Sequence, residues 1–201
     1  MRLGSALVLC LALALHAQPR TPVLIDTDIG DAIDDALALA LALSSPELDV
    51  RAVTTVIDDV ESKTRLAWKE LGVFNRRDIP LAMGASQPLL DPVLSTRPRE
   101  FEILTPADQF PDSARRTATR LIVETLMNSR QRITLVPIGP LTNIALALRS
   151  EPRIQDRIQR IVLMGGRLRH RSRRVTTSTA IPSLPKSSSA PASPSLLPAS
   201  M

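Results

Sequence analysis

The sequence predicts an α/β fold, a mostly parallel sheet with helices on both faces. Three observations carry this. Uninterrupted apolar runs such as Val23-Leu24-Ile25 suit strands buried on both faces, and segments with helical spacing follow them. Asp26, Gly30, Gly139 and Gly165 all fall where those runs end. Alternating strands and helices imply right-handed crossovers, and ligands in such sheets bind outside the carboxyl ends of the strands.

The elements follow in order. Residues 23–25 form the first strand, and the Ala/Leu-rich run 33–43 favours helix by propensity until Ser44-Ser45-Pro46 stops it. Residues 48–56 give a second strand. Val60, Thr64, Ala67, Leu71 and Phe74 then recur at helical spacing, with Gly72 near that helix's end. A third strand is expected at 79–83, and 84–112 is a proline-punctuated connection without a clear period. Asp112 or Ser113 can cap a helix carrying Ala114, Ala118, Leu121, Ile122, Thr125 and Leu126 on one face. Residues 133–137 form the next buried strand, Pro140 opens a helix continued by 141–148, and 161–164 make a further strand closed by Gly165-Gly166.

A chain of 201 residues with 44% hydrophobic content can bury the core of one domain. Its formal charge of +5 is a property of its end. Six of the 25 basic residues, Arg167, Arg169, Arg171, Arg173, Arg174 and Lys186, lie after Gly166 with no Asp or Glu among them, leaving 19 basic against 20 acidic before. No basic stripe with interleaved aromatics marks the domain, so no nucleic-acid partner is expected. Residues 1–17 join a basic start at Arg2, an apolar run and Ala17 before Gln18-Pro19, the layout of a secretory signal peptide; an apolar first helix is the alternative. The expectation is a secreted or periplasmic protein with no membrane span in the mature chain.

Residues 167–201 are rich in Arg, Ser, Thr and Pro, and are expected to be a disordered tail. Because the change comes mid-fold at a strand's end, a reading-frame change is the sharper reading of it. The expected domain is 22–166. Cys10 lies in the presumed signal, His16 beside it and His170 in the tail, so residues 18–166 hold neither thiol nor imidazole. A Ser-His-Asp triad, a Cys-His pair and a His-ligated zinc site are excluded there. Chemistry must come from carboxylates, backbone and a hard metal.

The segment from Asp26 to Asp35 supplies it: Asp26, Asp28, Asp31, Asp34 and Asp35 occupy ten residues at a strand end and helix start. Like charges so close raise one another's pKa, whereas Ca²⁺, which takes six to eight oxygen ligands, lets them stay ionised. Asp31, Asp34 and Asp35 could alternatively favour a helix N-terminus, but that leaves Asp26 and Asp28 unexplained. A metal site at Asp26, Asp28, Asp34 and Asp35 is expected.

These residues resemble the inosine-uridine-preferring nucleoside hydrolases, which open with a strand and an Asp-x-Asp-x-Gly and Asp-Asp-Ala pattern. The resemblance extends to Val53-Thr54-Thr55-Val56, to the segment from Pro137 through Ile138-Gly139-Pro140-Leu141-Thr142-Asn143 to Ala145, and to Val162-Leu163-Met164-Gly165-Gly166, covering 22–166. It implies a Ca²⁺-holding α/β domain, here apparently truncated, that hydrolyses the N-glycosidic bond of ribonucleosides. Asp28 then resembles the water-activating base and a metal ligand, Asp35 a second ligand, and Ile138 a ligand through its backbone carbonyl. Asp34, Asp59 and Met164 resemble ribose contacts. Homo-oligomerisation is compatible with it. The Gly30-Asp31-Ala32-Ile33 spacing is two residues longer than in the best-known members. The histidine that helps the leaving base, the late metal-ligating Asp, and the Glu and Asn that grip ribose belong to the family's carboxyl-terminal half, which finds no counterpart here. A non-catalytic secreted fragment with a partial metal site is therefore the rival reading.

Asp26-Thr27-Asp28 also imitates the opening of an Asp-nucleophile phosphatase, but Gly30 stands where that motif wants Thr or Val, and the Pro137 to Asn143 segment has no place in it. Trp68 is read as packing. Gln87-Pro88-Leu89 suits either a substrate loop or plain connection.

Overall fold

The computed structural model describes residues 19–89 and 99–165. The expected signal peptide, Cys10, the tail from Arg167 and the Gly166 boundary lie outside them. Five strands form one sheet in the order β3-β2-β1-β4-β5, with every pairing parallel. These are β1 (Thr21–Thr27), β2 (Leu48–Thr55), β3 (Leu81–Ala82), β4 (Ile133–Pro137) and β5 (Ile158–Ile161). Helices α1 (Ile33–Ser44), α2 (Val60–Val73), α3 (Ala118–Asn128) and α4 (Thr142–Ser150) make the crossovers.

Strand alternation divides the core in two. One layer packs Val23, Ile25, Val50 and Val53 against Leu39 of α1 and Leu66, Ala67 and Leu71 of α2. The other sets Leu24, Ala52, Ile133 and Leu135 against Leu121, Ile122 and Leu126 of α3 and Ile144 and Ala147 of α4. Both faces of β1 are thus covered, which is why it reads as a continuous apolar run. The chain reverses order between β1 and β4, and the carboxyl ends of β1, β2 and β4 meet there in one crevice.

Three expectations shift. The last strand is Ile158–Ile161 rather than 161–164, and Val162, Leu163 and Met164 run on beyond it, half-exposed. An edge strand needs no apolar run, and β5 carries the polar Gln159 and Arg160. The helix expected from Asp112 or Ser113 is split into a 3-10 turn, Asp112–Arg115, and α3, which Thr117 caps by accepting from the Arg120 N–H. The third strand shrinks to two residues, with Met83 bridging to Thr117. The long connection holds a 3-10 turn, Arg99–Ile103, whose Phe101 enters the first core layer.

Candidate active site

The crevice is built by three loops. After β1 the chain turns at Gly30, whose φ of 100° is open to glycine, and an added Cβ would strike Phe101 and Leu66. After β2, Ile57 and Asp58 adopt left-handed backbone (φ 64° and 62°), and their N–H groups donate to the carbonyls of Ala85 and Ser86 at 2.7 Å. The β-branched Ile57 is strained in that region, whereas Asp58 tolerates it better, and two left-handed residues in succession mark a loop that its surroundings force into shape. After β4, Gly139 lies against Asp28: a Cβ there would sit 2.8 Å from the Asp28 nitrogen and 2.9 Å from its Oδ1. The Ile138 N–H donates to the Asp26 carbonyl at 2.8 Å, locking this loop to the end of β1.

Asp28 is the centre of the arrangement. One of its carboxylate oxygens, Oδ1, is buried without a hydrogen-bond partner. Burial pushes this carboxyl up to about 7; the charge of Asp35 raises it further and that of Asp31 adds, while the Lys63 ammonium opposes them. Asp35, in the first turn of α1, is buried and accepts from Thr27 Oγ1 at 2.5 Å. Its pKa is also raised, by burial first, with the Thr27 hydroxyl working the other way. Asp28 and Asp35 are therefore brought together as expected.

Asp26 is not part of that pair. It lies within β1, paired with Thr54 and Pro137, and its fully buried carboxylate accepts from Thr54 Oγ1 at 2.5 Å and from Asn143 Nδ2 at 2.8 Å. Burial pushes it up to about 7, with both hydrogen bonds opposing. Both bonds fall on Oδ1, and the other oxygen, Oδ2, is buried without a hydrogen-bond partner, as Asp28 Oδ1 is. Asn143 also donates to the Thr55 carbonyl at 2.9 Å and accepts from the Ala85 N–H at 3.0 Å. One amide thus ties α4 to the ends of β1 and β2 and to the loop after β3.

The other expected residues are spread around this centre. Asp34 is exposed at the start of α1. Asp59 is exposed and caps α2, accepting from the Ser62 N–H at 3.0 Å. Ile138 is half-buried at the edge of the first core layer, and Met164 is half-exposed, its N–H donating to the Pro137 carbonyl at 3.1 Å. Among the described residues no three His, Cys, Asp or Glu side chains gather closely enough to hold a metal by themselves. What fits a hard cation is narrower: the unpartnered Asp28 oxygen, with Asp35 beside it. Two surface hollows, one at Trp68, Arg77 and Arg116 and one at Arg20, Gln131 and Arg160, lie away from these carboxylates. Trp68 packs on the first core layer with the Arg77 guanidinium 5.0 Å above its ring, in keeping with packing.

Two residues that build the crevice escaped the sequence reading. Lys63 is fully buried on α2, its Nζ 2.7 Å from Asp31 Oδ1 but outside hydrogen-bonding geometry. Asn143 lies in the Pro137 to Ala145 segment, where nothing local marks it out. A polar residue on a helix normally reads as solvated, and only the long-range contact reveals otherwise.

The site is thus a carboxylate pair at the strand ends of a parallel α/β sheet, and the comparison with known proteins places that sheet in a family. The family model of the inosine-uridine preferring nucleoside hydrolases matches residues 23–180, and the chain belongs to that family. It is 43% identical over 153 residues to the non-specific ribonucleoside hydrolase RihC of Klebsiella pneumoniae, and 40% identical over 151 residues to the pyrimidine-specific ribonucleoside hydrolase RihA of Escherichia coli. Those alignments cover 73% and 72% of this chain but 49% and 48% of the relatives. Among solved structures, a plant nucleoside hydrolase superposes with a TM-score of 0.65 at 31% identity, covering 74% of this chain and 49% of that one. The inosine-uridine preferring nucleoside hydrolase of Bacillus anthracis gives 0.61 at 26% identity, covering 74% and 51%. The chain thus spans about half the length of the relatives it matches.

Proposed function

We propose that this chain carries the amino-terminal part of a site that hydrolyses the N-glycosidic bond of ribonucleosides, releasing ribose and a base. The observation that carries the reading is the buried, unpartnered oxygen of Asp28 beside Asp35 at the end of β1. In this reading Asp28, Asp35 and the Ile138 carbonyl hold a Ca²⁺, which when bound supplies Lewis acidity toward water and charge that keeps the carboxylates ionised. Asp28, kept ionised by that charge, would accept the proton of the attacking water through the carboxylate oxygen that no hydrogen bond occupies. Gly139 leaves the room beside Asp28 that any larger residue would fill. Asp34, Asp59 and Met164 contact ribose, Asp59 using whatever acceptor capacity its capping bond leaves free. Secretion through residues 1–17 belongs to the same proposal.

The second reading is a non-catalytic secreted fragment with a partial metal site. It is favoured by the match to only about half of each relative and by the lack of a gathered three-ligand group among the described residues. Incubating the purified chain with inosine, uridine and a purine-nucleoside panel, with and without chelator, separates the two. Chelator-sensitive release of ribose is the expected result; none with any nucleoside at any Ca²⁺ concentration leaves the fragment.

A further inference from the structure

The site contains a charge that hydrolysis does not call for. Lys63 is completely buried, and taking an ammonium out of water costs several kcal/mol unless nearby negative charge compensates it. Its compensation comes from the aspartate loop. The Asp31 N–H donates to the Asp28 carbonyl at 3.2 Å, a turn that throws the Asp31 carboxylate across the crevice to within 2.7 Å of Lys63 Nζ. From there the ammonium also acts on Asp28 and Asp35, favouring the ionised form of each. Asp31 is partly exposed, whereas Lys63 is not, so the lysine is fixed by packing and the aspartate comes to it.

A cation lodged inside an acidic cluster does part of what a divalent ion would do there. It offsets the repulsion among Asp28, Asp31 and Asp35, and it opposes the entry of any second positive charge. Its Nζ has no hydrogen bond in good geometry, as expected of a group placed for its charge rather than for a specific acceptor.

We propose that Lys63 is a counter-ion built into the chain, and that the Asp31–Lys63 pair sets how weakly or tightly the Asp28–Asp35 site holds a divalent cation. The inference rests on the reading that this site takes such an ion. It runs against the ordinary expectation for a buried lysine, whose removal should only loosen the fold. If charge is what matters, Lys63→Met lowers the stability of the cation-free protein and strengthens cation binding. If the lysine only pins the loop, the same change weakens binding.

The test is calorimetric titration of the full chain with CaCl₂, and separately MgCl₂, for wild type, Lys63→Met and the double variant Asp31→Asn/Lys63→Met. The expected result is Ca²⁺ affinity at least about tenfold tighter in Lys63→Met, since the positive charge that acts on Asp28 and Asp35 is removed. The double variant, whose net charge is that of wild type, should stay within about threefold of it on the same Coulombic argument. Unchanged or weaker binding by Lys63→Met overturns the proposal. Should that variant fail to fold, the double variant still decides, because a loss of about tenfold or more there means the pair pins the loop rather than balancing charge. If neither wild type nor any folded variant takes up Ca²⁺ or Mg²⁺, the cation reading itself fails and this inference goes with it. A wild type that binds beside a Lys63→Met that binds no tighter sinks the counter-ion alone.

Discussion

The core layer beneath α3 and α4 and the floor of the crevice at the ends of β1, β2 and β4 are both buried, yet they are made of opposite materials. Under α3 and α4 lie Leu24, Leu121, Ile122, Leu126, Ile133, Leu135 and Ile154, with relative exposures of 0 to 2%. At the strand ends lie Asp26, Thr27, Thr54, Thr55, Lys63, Thr64 and Asn143, each equally buried. Burying apolar surface is favourable at about 25 cal/mol per Å². Burying charge is not, and a closed polar layer survives only where its hydrogen bonds are nearly complete. The crevice falls short of that: Asp26 Oδ2 and Asp28 Oδ1 lack hydrogen-bond partners, and Lys63 Nζ has only its ion pair with Asp31. Stability should therefore reside in the apolar layer, while the crevice is held at a cost that stability alone does not explain.

The comparison is most easily broken in the apolar layer. Leu135 is fully buried in β4, paired with Leu24 of β1 and Ile161 of β5. Leu135→Ala should lower the unfolding free energy by roughly 3 kcal/mol, as expected for a buried leucine whose cavity cannot collapse. Urea denaturation monitored by circular dichroism checks this, with the slope against urea unchanged. An effect below about 1 kcal/mol would mean the layer is looser than its closure suggests.

Asn143→Ala should cost somewhat less, roughly 2 kcal/mol, because it strips two donors from Asp26 and the Thr55 carbonyl and leaves the Ala85 N–H without its acceptor. Its second effect should be the diagnostic one. With Asp26 no longer tied to α4, the loop carrying Gly139 and Ile138 loses its seat, and Ca²⁺ affinity should fall. A variant that loses more stability than Leu135→Ala, or keeps wild-type Ca²⁺ affinity, contradicts the division of roles between the two regions.

The two regions also differ in how far they could be read in advance. Apolar periodicity places β1, α1, β2, α2, β4 and α4 within a few residues of their observed bounds, because each is buried and local spacing reports burial. It misplaces β5, which carries the exposed Gln159 and Arg160, since an edge strand has little periodic signal. In the crevice, the crowding of carboxylates points to Asp28 and Asp35. It gathers in Asp26 as well, and does not show that the position inside β1 ties one oxygen of that carboxylate to Thr54 and Asn143. The bond from Asn143 to Asp26 spans 117 positions and that from Lys63 to Asp31 crosses from one crossover to another, so neither leaves a local pattern. Asp59 shows the opposite limit: a motif suggests a ribose contact, while the backbone gives it a capping bond as well.

The smallest effect separates the regions by the shape of a curve rather than its height. Burial pushes Asp26 and Asp28 each up to about 7, against the ordinary carboxylate value near 3.8. Between those limits the folded chain holds protons that the unfolded chain has released, so unfolding loses protons and stability falls as pH rises. For one such group the loss between pH 6 and pH 7 is about 1 kcal/mol without divalent cation. Glu70 of α2, whose Oε1 is buried without a partner and whose pKa burial also pushes up to about 7, adds to the same slope. Asp26→Asn, which removes one titrating group, should flatten that slope. Leu135→Ala should lower the whole curve without tilting it, because nothing in its layer titrates. Melting temperatures at half-unit pH steps in chelator test both. A slope that Asp26→Asn leaves unchanged would mean the protons are held elsewhere, and the contrast between an apolar layer that stabilises and a charged crevice that costs would lose its support.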